Sequence, residues 1–131
     1  MYPYWAEYII LMYHGAVIDQ EFKDKSYPEK FKLFAKKQDG SWGIYGIEIE
    51  DSQLEEVIKD IRENLRETEN WYAHLYNDKK LVVIFKDKVF RVTSHTSSWK
   101  PIIEHGRKLN IPEEQLDFWP NRFQDEKHYF G

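Results

Sequence analysis

The chain has 131 residues, a length that suits one domain with a real core. Aromatic residues make up 17% of it, acids outnumber Lys plus Arg by 23 to 19, and cysteine is absent. These values exclude disulfides, thiolate metal sites and a cysteine nucleophile, and the acidic balance does not support the basic stripe of a nucleic-acid binder.

Met1 to His14 is rich in rings and aliphatics, but Glu7 interrupts it and no basic region precedes it, so it does not read as a signal sequence. No apolar run approaches the roughly 20 residues of a membrane span. A soluble cytoplasmic protein is expected. Tyr8 to Tyr13 has the length and residue types of a buried strand, with Gly15 as its end. Val17 to Pro28 is mixed and charged and reads as a loop with room for one helical turn.

Phe31 to Lys37 alternates, with Phe31, Leu33 and Ala35 on one face and Phe34 among lysines on the other. Two turns compete after it. A two-residue Asp39-Gly40 turn pairs Leu33 with Gly46. A three-residue loop pairs Leu33 with Tyr45 and Phe31 with Ile47, which gathers the apolar residues on one face. Register follows the buried face, so the three-residue loop is expected. Leu54, Val57, Ile58, Ile61 and Leu65 then recur at helical spacing. Asp51 or Ser52 would cap this helix, with Ser52 and Glu55 as a capping box.

Trp71 to Tyr76 alternates as a strand, and Asn77-Asp78 turns the chain. Leu81 to Phe85 and Val89 to Val92 form a hairpin around Asp87-Lys88, with Phe85 opposite Phe90 and Val83 opposite Val92. Ser97 or Ser98 would cap a second helix over Trp99 to Leu109. Pro101 fits its first turn and Asn110 can end it in the left-handed region. Ile111 to Leu116 adds one short turn. The tail carries Phe118, Trp119, Phe123, Tyr129 and Phe130, too many rings for a disordered segment.

The expected fold is α+β: a mostly antiparallel sheet of five to six strands with two helices packed on one face. One domain, 1–131, contains two strand-turn-strand-helix units (30–67 and 71–110) and an ordered aromatic tail (111–131). The units share a pattern more than residues.

No catalytic motif is present. His74 lies between Tyr72 and Tyr76 on one strand face, which suits acid–base work or stacking on a ligand. His95 sits in a hydroxyl-rich loop, and Ser97 and Ser98 stand at the following helix N-terminus, where an anion could bind. His74 and His95 are therefore the candidate catalytic residues, and Ser97 and Ser98 the candidate anion site. The acidic clusters at 113–117 and 125–128 lack converging ligands, so no metal is expected. No phosphate-cradling glycine loop exists, and no cofactor is expected.

The registers leave an apolar sheet face away from the helices, with Phe34, Trp42 and Ile44 from the first unit and Val82 and Ile84 from the second. Arg91 and several lysines border it. Tyr72, His74 and Tyr76 join the candidate ligand or interface set. Monomers rarely leave such a patch bare. The chain's own tail, a second copy or a foreign ligand could cover it. The expectation is a non-catalytic binding or protein-interaction protein that uses this face, with a homodimer as one form. The alternative is a small enzyme or ligand-binding protein with a pocket around His74 and His95. Single-stranded nucleic-acid binding comes third, and no membrane partner is expected.

Overall fold

A computed structural model describes residues 12–67 and 71–131. The expected strand over 8–11 lies outside the described residues. Its continuation, β1 (Met12–Ile18), runs straight through Gly15 instead of ending there. The glycine is needed for close approach. A Cβ at Gly15 would meet Leu75 Cδ2 at 2.7 Å and the His74 carbonyl at 2.9 Å on the neighbouring strand. Two 3₁₀ turns, Asp19–Glu21 and Tyr27–Lys30, fill the following loop.

The first hairpin is β2 (Lys32–Asp39) and β3 (Trp42–Glu50). It closes through Gly40-Ser41, with Gly40 at φ 59 and Asp39 opposite Trp42. Neither expected turn is found. Lys36 faces Tyr45, and a bulge between Leu33 and Ala35 brings Leu33 opposite Ile47. The bulge switches the faces of the strand: Leu33 stays on the side of Ile47, but Ala35, expected with it, pairs with Gly46 on the other side, and Lys36 takes the place opposite Tyr45. Tyr45, Ile47 and Ile49 lie in one core, and Phe34 points to the other side, against the His14 ring.

Helix α1 (Leu54–Asn64) follows a 3₁₀ turn over Asp51–Gln53. Its N-cap is Gln53 and no side chain caps it. The expected capping box does not form because Glu55 turns outward and takes both guanidinium nitrogens of Arg91 at 2.7 Å.

β4 (Tyr72–Tyr76), β5 (Lys80–Phe85) and β6 (Val89–Thr93) complete the sheet. Val83 faces Phe90 and Leu81 faces Val92, two residues from the expected pairing. An even shift keeps every side chain on its face. Helix α2 (Lys100–Lys108) has Trp99 as N-cap and no side-chain cap. The Ser98 hydroxyl closes the preceding turn instead, by donating to the His95 carbonyl at 2.7 Å. Asn110 ends the helix at φ 62, as expected. Helix α3 (Glu126–Phe130) ends the tail.

The architecture is α+β. Six antiparallel strands lie in the order β2-β3-β1-β4-β5-β6. The two long helices, however, pack on opposite faces. Leu54, Ile58 and Ile61 of α1 join Ala73, Leu75, Val82 and Ile84 in one core. Ile102 of α2 joins Tyr76, Leu81, Val83 and Phe85 in the other. Alternate residues of β4 and β5 thus feed the two cores. The cause is topological: β1 pairs with the second strand of the first hairpin, whereas β4 pairs with the first strand of the second hairpin. The same local unit is therefore presented to the sheet in two ways. Val82 and Ile84 do not share a face with Trp42, and they are covered by α1.

The face opposite α1 has two covers. α2 lies over its β4–β6 half. The tail crosses the β1–β3 half, where Phe130 meets Phe34 edge-on and Phe123 tilts against His14. No helix among the described residues is long and apolar enough to cross a membrane.

Candidate functional site

Between the sheet and its tail a cleft remains, enclosing about 250 Å³. Its floor is the tail-side face of the sheet: Ala16 and Ile18 from β1, Trp42 from β3, and Tyr72 and His74 from β4. These positions share a face because Ile18 pairs with Ile44 and Ala16 with Gly46 across β1 and β3. Trp71, just before β4, stands against Trp42 with ring centroids 5.8 Å apart and planes at 69°. The opposite wall comes from the C-terminal segment: Glu114, Gln115, Asp117, Trp119 and Tyr129.

The backbone at the rim sorts neighbouring rings to different sides. Phe118 takes φ 50 and is fully buried, packed edge-on against Tyr72 and Trp99 at 5.5 and 5.3 Å. Trp119 is turned the other way, is 40% exposed and faces the cleft. Tyr129 is held from outside by Lys37, whose ammonium lies 3.9 Å from the ring centroid.

Glu21 closes the inner end. It belongs to the 3₁₀ turn after β1, is only 4% exposed, and lines the cleft. Its Oε2 has no hydrogen-bond partner among the described residues. Burial pushes its carboxyl well above the ordinary carboxylate range. A backbone hydrogen bond at Ile18 offsets part of this, and the Asp19 charge adds to it. Burial likewise raises the Tyr72 and Tyr129 hydroxyls, with Glu21 and Asp117 as the next causes for both.

His74 is 6% exposed and sits under the tail, its Nε2–H donating to the Pro120 carbonyl at 2.7 Å. Burial pulls its pKa down, against the Pro120 hydrogen bond and the Asp117 charge. The ring is therefore neutral, with its lone pair on Nδ1. The Tyr72 hydroxyl is already committed, donating to the Gln115 carbonyl.

A second polar cluster fastens the tail. His14 Nδ1 lies 2.7 Å from Glu126 Oε2, and His14 Nε2 lies 3.4 Å from Glu48. The Tyr76 hydroxyl donates to the same Glu126 oxygen. Phe34 stacks on the His14 ring at 4.1 Å. No group of three or more His, Asp or Glu side chains among the described residues is arranged to hold a metal ion.

Comparison with known proteins finds no match. No family model, no curated protein and no solved structure aligns with the chain.

The residues singled out from sequence divide among three places. Trp42, Tyr72 and His74 meet at the cleft. Phe34, Ile44 and Tyr76 are on the same face, with Ile44 and Tyr76 buried and Phe34 beneath Phe130. Ile84 lies on the other face under α1, and Arg91 is bound there to Glu55. His95 is exposed beyond the end of β6 and does not line the cleft. Ser97 is exposed, and the Ser98 hydroxyl serves the 93–98 turn. Sequence reasoning missed Glu21 altogether. It sits in a charged stretch, and nothing in its neighbours signals burial.

Proposed function

We propose that the protein binds a small ligand in the cleft between its aromatic sheet face and its tail, without needing a catalytic step. The observation that carries this reading is Glu21, a carboxyl buried in the wall of a concave, ring-lined site with one oxygen unpartnered. An unmade hydrogen bond on a buried polar group costs about 1–3 kcal/mol. Such a group calls for a partner, whether an ordered water, an ion or a ligand, and in a ring-lined cleft a ligand can supply it. The rings favour binding over chemistry: three indoles and two phenols supply contact area, and His74 has its Nε2–H fixed on Pro120.

This keeps the aromatic sheet face as the binding surface and narrows it to one opening. Much of that face is already covered by the chain itself, by α2 over one half and the tail over the other. A protein partner or second copy would find Trp119 at the cleft mouth and little else of the apolar face. A fragment screen followed by two-dimensional NMR tests the proposal. Binding fragments are expected to shift the Trp42, Trp71 and Trp119 indole signals together, and Trp42→Ala is expected to abolish binding while the fold persists. A screen in which no fragment perturbs these indoles would overturn it.

A further inference from the structure

Resting on that reading of the cleft, we infer that its ligand is a small protonated amine, an alkylammonium with at least one N–H, paired with Glu21 and enclosed by the indoles. Charge is the first argument. Among the described residues that line the cleft none is Lys or Arg, and three are acids: Glu21, Glu114 and Asp117. An anionic ligand would meet the carboxylates of Glu114 and Asp117. Lys37 lies on the Tyr129 ring and is not among the residues of the wall.

Ring geometry is the second argument. A sugar or a flat heterocycle stacks on a platform of near-parallel rings. Trp42 and Trp71 instead meet edge to face, at 69° and 5.8 Å, so they do not offer such a platform. Trp119 and Tyr129 come from the tail side. Aromatic rings that line one cleft can attract a convex cation through their faces, and indole does so best. The volume, about 250 Å³, is below the ~300–1,000 Å³ of typical ligand pockets. It suits a short amine and excludes a long peptide segment.

Glu21 is the third. Its carboxyl lines the cleft and its buried Oε2 has no partner among the described residues, so a turn of the side chain toward the cleft would let an ammonium N–H supply one with charge assistance. The groups around Glu21 do not provide a competing cation. Asp19 is beside it, Tyr72 and His74 face the cleft from β4, and Asp117 and Tyr129 face it from the tail. Arg66 approaches only the backbone, donating its amide to the Glu21 carbonyl and its Nε to that of Phe22. In the empty cleft burial favours the protonated form of Glu21. When the amine enters, the carboxyl proton leaves to solvent and a carboxylate–ammonium pair forms. The charge of the ligand is unchanged and one proton is released.

The test uses the full chain, indole fluorescence and calorimetry, with butylammonium, trimethylammonium and tetramethylammonium chlorides, sodium butyrate and methyl glucoside as probes. Butylammonium and trimethylammonium are expected to bind, butyrate and methyl glucoside not. Tetramethylammonium, which has no N–H, should bind less tightly than trimethylammonium. Glu21→Gln, close in shape to the protonated acid, is expected to weaken the N–H amines by about tenfold to a hundredfold, and to remove the proton release seen by calorimetry in buffers of different ionisation enthalpy. Trp71→Ala should weaken them by about tenfold. Methyl glucoside or butyrate binding at the indoles in place of the amines would overturn the amine and leave the cleft as a ligand site. Equal affinity for trimethylammonium and tetramethylammonium would overturn the role of Glu21 as acceptor. No response to any probe, together with a blank fragment screen, would remove both readings.

Discussion

At the scale of single residues, the cleft carries its cost in two side chains. Glu21 binds its proton more tightly folded than unfolded, because burial raises its carboxyl well above its ordinary value. Above the unfolded pKa the folded state therefore holds more protons, and stability falls as pH rises until the folded pKa is passed. The slope from one such group is at most about 1.4 kcal/mol per pH unit. Glu21→Gln is expected to match the wild type near pH 4 and to be the more stable protein at pH 8. Urea denaturation at the two pH values measures this, and a stability difference that does not grow with pH would contradict it. His74 has the opposite sign. Its pKa is depressed by burial, so the unfolded chain takes up a proton that the folded chain refuses, and stability is lost as pH falls below the ordinary histidine value. Phe118 presents a different balance. A bulky residue at φ 50 is strained by about 1–3 kcal/mol, yet its ring is fully buried between Tyr72 and Trp99. Removing a buried Phe ring costs about 3–5 kcal/mol, and the strain at φ 50 persists in alanine. Phe118→Ala is thus expected to lower the unfolding free energy by about 3–4 kcal/mol, measured by denaturant titration, and to loosen Trp119 with it.

At the scale of elements, β1 joins the first hairpin to β4, and its closeness to β4 depends on Gly15. A Cβ there would lie 2.9 Å from a backbone oxygen, which cannot rotate away as the Leu75 methyl can. Gly15→Ala is expected to destabilise the fold by about 1–3 kcal/mol, with hydrogen exchange accelerated first at the β1–β4 ladder. Protection left intact along Leu75 and Tyr76 would argue that the strands adjust freely. The elements also show what the sequence could convey. Both hairpins, both long helices, the Asn110 terminus and the ordered tail follow from local pattern, because apolar spacing, Gly40 and the tail rings act within a few residues of themselves. The faces of β3 and of Phe31 and Leu33 were legible, although the turn was not, and Ala35 and Lys36 fall on the faces opposite to those expected. Burial decides the faces of β3, and the bulge at Phe34 accommodates the shorter turn by switching the end of β2 to the other side. The caps failed for a non-local reason: Glu55 had a better partner in Arg91, 36 residues away. The opposite placement of α1 and α2 was illegible because it depends on which hairpin strand meets β1 or β4. No periodicity within a unit encodes that choice. Glu21 was hidden for the same reason, since its burial comes from the tail and the sheet together.

At the scale of the whole molecule, the tail is a structural cover and one wall of the cleft at once. Phe123 and Phe130 close over His14 and Phe34. Glu126 accepts from Tyr76 and sits 2.7 Å from His14 Nδ1, so it bridges β4, β1 and α3. Asp78, in the β4–β5 turn, accepts the Phe123 amide at 2.9 Å and sets where the last segment starts its crossing. Deleting Asn121 to Gly131 would strip these contacts and leave polar atoms of His14 and Tyr76 without Glu126, beneath a newly bared apolar strip. Three half-buried rings and the lost Glu126 contacts, set against the entropy of ordering the segment, leave a net loss of about 2–3 kcal/mol. The truncated chain is expected to melt several degrees lower and to self-associate through the exposed β1–β3 face, read by calorimetry and light scattering. Glu126→Gln separates the two roles. It keeps the rings over the sheet but weakens the clasp, so it should lower the melting temperature by less and leave the chain in its original oligomeric state. It should also leave amine binding within about twofold of wild type, since Glu126 does not line the cleft. If the truncated chain melts unchanged and stays in that same state, the tail is not holding the sheet closed, and the cleft wall it forms would have to be maintained by Trp119 and the segment before it.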